Sequence, residues 1–202
     1  VGSRPGLRRL AEGGSTRRVG SLAMWPVTST RQVYTNPWIA VDEDIVTAPD
    51  GRPAQYGVVT MQHPAVFIVA VSEQDEVVLV RVNRHTTGIG WEVPAGGTDG
   101  EEPIVAARRE LLEETGYVAD SWLPVGQMNA LNGVCRAPEH VFLARGLSVA
   151  HSSGEARAEE GIDQVSLVPW SQVMEMVTQR EITDGESVAS LMFAALALGK
   201  MT

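Results

Sequence analysis

Three glutamates, Glu110, Glu113 and Glu114, crowd into one short stretch, and they constrain this chain more than any other feature. The stretch covers residues 91–118 and reads WEVPAGGTDGEEPIVAARRELLEETGYV. Pro103 suits a first helical turn, and Gly116 suits the left-handed position that ends a helix. A helix is therefore expected over residues 103–115, after a short strand ending at Val93 and a Gly-rich loop over residues 94–100. On that helix the three carboxylates fall at i, i+3 and i+4 and share one face, where like charges repel. Ile104, Ala107 and Leu111 form an apolar stripe on one side of that face, and Val105 and Leu112 form a second on the other. Packing of both flanks would leave the carboxylates in a cleft. Acidic oxygens converging in a partly enclosed site are what a hard divalent cation such as Mg²⁺ requires, and the cation offsets their repulsion. Arg109, four residues before Glu113, is placed to hold that carboxylate. A bare ExxEE also fits an ordinary solvated acidic face with one surface ion pair.

The stretch carries more than ExxEE, and it resembles the box of the Nudix hydrolase family. That box is a Gly, five residues, a Glu, seven residues, then Arg-Glu-apolar-any-Glu-Glu-any-Gly-apolar. Glu101, Arg109, Glu110, Leu111, Glu113, Glu114, Gly116 and Tyr117 fall in step with it. One position departs: the required Gly is Ala95, and Gly96 lies one residue too close, so the loop looks shortened by one residue. Outside the box, residues 33–198 resemble the ADP-ribose pyrophosphatase branch of the family. The matching pieces are an NPW, a PDG turn, an LVR…R strand leading into WEVPAGG, and a distal acidic loop followed by VPW and a helix.

Composition bounds the rest. The chain has 202 residues, enough for one compact domain with a sizeable core plus a tail. A formal net charge of −9 argues against general affinity for nucleic acid or anionic membranes. An acidic protein can still take a phosphate compound where a metal carries the local positive charge. Cys135 is the only cysteine, which excludes an internal disulfide and a multi-cysteine zinc site and suits a reducing cytoplasm. No apolar run is long enough to span a bilayer, and nothing near the start has the h-region of a signal peptide. His63, His85, His140 and His151 show no metal-ligand spacing, and Cys135 near His140 reads as a small buried thiol and not as a nucleophile.

Residues 1–30 are rich in Gly, Ser and Arg and read as a flexible segment without a core, with residues 31–202 as the folded domain. Met24, after which globular composition begins, is a candidate for the original start. Strands are expected over residues 33–46 with a break at Asn36-Pro37, then over 56–61, 65–71 and 77–82. The run AVFIVAV is apolar on both faces and should lie at the centre of a sheet covered on both sides. Residues 121–129 are rich in turn formers at their end, Asn132-Gly133 marks a turn, and 139–144 reads as a buried strand. Residues 146–161 read as a mobile acidic loop, 165–168 as a last short strand, and 171–180 and 184–198 as helices. Thr183 with Glu186 gives a capping-box signature for the second. Strands, one helix, strands and then helices indicate an α/β fold with a mixed β-sheet and helices on both faces. The Nudix resemblance implies the same α/β/α sandwich.

The resemblance further implies Mg²⁺-dependent hydrolysis, with Mn²⁺ as an alternative ion, of a diphosphate bridge joining a nucleoside to another group X. Water attacks one phosphorus while charge accumulates on the phosphate oxygens. Glu110 and Glu114 are the first candidates for metal ligands, and Glu113 is a third ligand or a bridge. The carbonyl of Ala95 matches the family position that completes a metal shell. Glu101 is an outer contributor to the site. In the resembled branch the base comes from the distal loop, which offers Glu155, Glu159 and Glu160; Glu159 and Glu160 are preferred, with Glu113 next. Arg84 suits a substrate phosphate, and Trp38 suits stacking on the base. Arg109 and Gly116 support the site. A homodimer through residues 33–46 is expected, because apolar edge residues such as Trp38 and Ile39 invite association. Two further readings stay open: hydrolysis of nucleoside triphosphates or other diphosphates, and a non-catalytic ligand-sensing domain.

Overall fold

The computed structural model describes residues 25–150, 157–158 and 160–201. The chain opens with β1 (Val27–Thr35), β2 (Ile39–Thr47) and β3 (Pro53–Met61), an antiparallel meander. Val27 to Thr30 thus belong to a strand and not to the flexible segment expected to run to residue 30; residues 1–24 lie outside the described residues. Pro37 sits in the turn between β1 and β2, where its missing N–H costs no ladder bond. Asn36 closes that turn, its side-chain oxygen accepting from the N–H groups of Trp38 and Ile39 at 2.9 and 2.8 Å.

Next come β4 (Ala65–Val71), β5 (Glu76–Arg84), β6 (Gly88–Glu92), β7 (Ala95–Gly97) and α1 (Pro103–Thr115). Then follow β8 (Tyr117–Asn129), β9 (Cys135–Arg136), β10 (Pro138–Val149) and β11 (Ile162–Pro169). Two helices close the chain, α2 (Trp170–Thr178) and α3 (Gly185–Ala197). A small sheet has the order β1-β2-β3-β9, and a larger one has β11-β5-β4-β10-β8, with β6 on β5 and β7 on β4. The pairing of β10 with β4 is parallel and that with β8 antiparallel, so the large sheet is mixed.

AVFIVAV is β4 itself, and both its faces are covered. Val66, Ile68 and Ala70 pack with Phe142 against Ala106, Ala107 and Leu111 of α1. Val69 and Val71 pack on the other side with Leu143, Val173 of α2, and Leu191 and Ala194 of α3. An α/β/α sandwich results. Only one flank of α1 is packed, however: Ala107 and Leu111 are fully buried while Val105 is exposed.

Three elements differ from the sequence reading. Residues 121–129, read as ending in turn formers, belong throughout to a strand of 13 residues, β8, that begins at Tyr117. It lies at a sheet edge and absorbs Pro124 at a register shift opposite Val141 and Phe142, which is where a strand tolerates proline. Gly146 to Val149 extend β10 instead of starting a loop, and residues 151–156 and 159 lie outside the described residues. The cap of α3 is Asp184 and not Thr183: its carboxylate accepts from the Ser187 N–H at 2.7 Å.

Candidate active site

The short loop before α1 is solved by a tight turn. Asp99 and Gly100 both take positive φ, 50° and 86°, and the Glu101 N–H closes on the Thr98 carbonyl at 2.8 Å. This Asp-Gly pairing is the one that a two-residue turn of primed type favours. One residue fewer than the family box therefore leaves no gap. Gly96, one place off the expected position, is still where glycine is needed: a Cβ there would overlap the carboxylate of Glu110. At the far end of α1, Gly116 has φ 78° and donates to the Leu112 carbonyl at 2.9 Å.

Glu110 and Glu114 are buried, with 4% and 2% of their surface exposed. Together with exposed Glu160 they offer carboxylate oxygens that all lie within 4.8 Å of one another. The Ala95 N–H donates to Glu114 at 3.0 Å. Burial pushes the Glu110 carboxyl up to about 7; neighbouring Arg109 works the other way, and the charges of Glu160 and Glu113 add to the rise. Glu114 is raised well above the usual carboxylate range, first by burial and then by the Glu160 carboxyl against it. Buried acids crowded in this way gain from a cation between them, and three carboxylates form the hard oxygen set that Mg²⁺ or Mn²⁺ takes.

Arg109 ties the site together. It donates to Glu101 at 2.9 Å, Glu110 at 2.7 Å, Glu113 at 3.1 Å and the Gly97 carbonyl at 3.0 Å. Burial works against its charge, and the carboxylates of Glu101, Glu110 and Glu113 more than offset that. Glu101 and Glu113 are thus partners of Arg109 and stand outside the close triad. Arg84 pairs with Glu92 at 2.8 Å, which raises its pKa against the effect of burial; the charges of Glu114 and Asp184 contribute further. Trp38 is 71% exposed at the β1–β2 turn, apart from the core. Glu155 and Glu159 lie outside the described residues.

A NUDIX domain matches residues 61–191, and a Nucleoside diphosphate sugar hydrolase N-terminal domain matches residues 25–59. The chain belongs to the Nudix family and is a Nudix hydrolase. Its box is the loop and helix described above. Relatives include an ADP-ribose pyrophosphatase of Mycobacterium tuberculosis, 32% identical over 171 residues (81% of this chain, 80% of the relative). A methanol dehydrogenase activator of Bacillus methanolicus is 26% identical over 181 residues (88% and 96%). A crystal structure of an ADP compounds hydrolase shares the fold, with a TM-score of 0.76 at 18% identity over 89% of this chain and 97% of that one. No helix among the described residues is long and apolar enough to cross a membrane.

The sequence reading gave no site role to Glu92, Glu139 and Asp184, and read Glu186 only as half of a capping box. The signal was there in one case: Glu139 is an acid in a strand whose next residues, Val141 and Leu143, face the core.

Proposed function

We propose that this Nudix hydrolase cleaves the diphosphate bridge of ADP-ribose or a related nucleoside diphosphate sugar, giving two monophosphates, with Mg²⁺ or Mn²⁺ held at the box. The match of residues 25–59 to the N-terminal domain of nucleoside diphosphate sugar hydrolases carries the substrate class. The M. tuberculosis relative's activity toward ADP-ribose supports it. Glu110, Glu114 and Glu160 would hold the ion, with the Ala95 carbonyl and Glu113 as further candidate donors. When bound, the ion neutralises the diphosphate oxygens as charge builds up on them.

The chain's own groups do the rest. Arg109 holds Glu110 and the loop in register. Arg84 is free to exchange Glu92 for a substrate phosphate, a task that its planar fork suits. A glutamate takes a proton from the attacking water as the bridging oxygen leaves on the other phosphate; Glu160, Glu159 and Glu113 are the candidates. Trp38, exposed at a turn, is available to stack on a base.

The enzyme works as a homodimer in the cytoplasm. Every residue of β1 is exposed, Val33 at 47% and Tyr34 at 54%, and a second copy would cover such an apolar edge. A screen of ADP-ribose, other nucleotide sugars and nucleoside triphosphates with Mg²⁺ or Mn²⁺, detecting released monophosphate, tests the reading. Turnover confined to triphosphates would overturn it.

A further inference from the structure

Where the backbone enters the box loop, it changes partners. The register of β6 with β5 ends at Glu92, and that of β7 with β4 starts at Ala95. Val93 and Pro94 lie between the two ladders. Pro94 has no N–H to give, and its carbonyl accepts from the Ile68 N–H at 2.9 Å. The Val93 N–H is buried and donates across the core to the Ser187 Oγ of α3 at 3.0 Å. A buried backbone N–H needs such an acceptor, and here a side chain of the last helix supplies it.

Ser187 is itself firmly held. It is fully buried, and its own N–H donates to the capping carboxylate of Asp184 at 2.7 Å. Further along α3, Leu191 and Ala194 pack in one cluster with Val93, Val69 and Val71. Phe193 lies so close to β8 that a Cβ on Gly126 would meet its ring at 2.6 Å. Close packing on both counts fixes the hydroxyl relative to the sheet.

What the hydroxyl holds lies two residues from the box carboxylates. The Ala95 N–H donates to Glu114 at 3.0 Å, and Gly96 lies against the Glu110 carboxylate. Three successive residues, Val93, Pro94 and Ala95, are thus pinned to three different elements: α3, β4 and α1. The Pro94 ring fixes its φ, so a displacement at Val93 passes on to Ala95 instead of being absorbed between them.

We infer that Ser187 is a positioning residue for the metal loop. Through the Val93 N–H it sets the place of Ala95, and through the Ala95 N–H the direction of the Glu114 carboxylate. The inference rests on the reading of Glu110, Glu114 and Glu160 as the holders of the ion.

The test measures Mn²⁺ binding to the full chain without substrate, from the electron paramagnetic resonance signal of free Mn²⁺. Ser187→Ala removes the acceptor and should weaken Mn²⁺ binding about tenfold, the low end for losing a group that orients a metal ligand. Ser190→Ala is the matched control. Ser190 is equally buried on the same helix, but its Oγ has no hydrogen-bond partner among the described residues, so its removal should leave Mn²⁺ binding unchanged. Ser187→Cys fills the same space with a weak acceptor and should give a smaller loss, which carries the test if the alanine variant does not fold. Wild-type affinity in the Ser187 variants, or a loss in Ser190→Ala equal to theirs, would overturn the role of Ser187. Absence of Mn²⁺ binding by the wild type would instead sink the reading of the box on which it rests.

Discussion

The molecule holds two knots of buried acid with opposite internal arrangements. At the box, Glu110 and Glu114 are braced by Arg109 and the Ala95 N–H, and Glu160 completes a set of oxygens within 4.8 Å. On β10, Glu139 has no partner for its Oε2 among the described residues, and no comparably tight triad of acids forms around it among them. Both knots raise carboxyl pKa values by burial, so burial alone does not distinguish them. The bracing does. A guanidinium and an N–H that fix ligand directions prepare a site for a cation, and Glu139 lacks such bracing.

The largest expected effect comes from breaking the braced knot. Glu114→Gln should lower turnover on the order of 10³-fold at saturating Mg²⁺, about what losing several kcal/mol of transition-state stabilisation means. The same variant should melt higher than wild type without metal near neutral pH, because glutamine has no charge to give up on burial, whereas Glu114 must take up a proton that the unfolded chain has lost. Equal turnover by the two proteins would refute the metal assignment.

Gly96→Ala attacks the same knot without touching a charge. Its Cβ must displace the Glu110 carboxylate, and a ligand shifted by about 1 Å can cost around 10²-fold in turnover. Steady-state kinetics with circular dichroism as a folding check would measure it, and near-normal turnover would mean that Glu110 moves without consequence.

How far the sequence led is clear from these residues. The helix bounds, the two-faced burial of β4 and the crowding of Glu110 with Glu114 follow from period and spacing, which sequence displays directly. The Asp99-Gly100 turn was readable as a pair of turn formers, but its role in absorbing a missing residue needed the backbone. Arg109 was expected to hold Glu113 and in fact spans Glu101, Glu110 and Gly97 as well, because its reach crosses from helix to loop. Glu139, Asp184 and Glu186 come from β10 and α3, more than forty residues apart, and no local pattern joins them.

A smaller effect separates the knots by pH. Glu110 and Glu139 have folded-state values near 7 against an ordinary 4.5. Between those values the folded chain holds protons that the unfolded chain has lost. Stability from these groups is complete below about 4.5 and declines as pH rises through about 7. In EDTA the melting temperature should therefore fall over that window. Saturating Mg²⁺ should restore the share due to Glu110 and Glu114, and Glu139→Gln should remove part of the share that remains, the rest belonging to Glu186. A pH slope untouched by Mg²⁺ would contradict the division.

The smallest expected effect divides cap from charge at Asp184. Its carboxylate caps α3 through the Ser187 N–H, and its charge opposes Glu139 and Glu186. Asparagine keeps the capping oxygen and drops the charge, whereas alanine drops both. Asp184→Ala should destabilise by about 1 kcal/mol, a typical cap loss, which is about 3 °C in melting temperature for a domain of this size. Asp184→Asn should match or exceed wild type above pH 7, where the neighbouring acids are ionised and their repulsion is greatest. If Asp184→Asn falls as far as Asp184→Ala, the Asp184 charge is not opposed by its neighbours, and the unbraced knot is no knot at all.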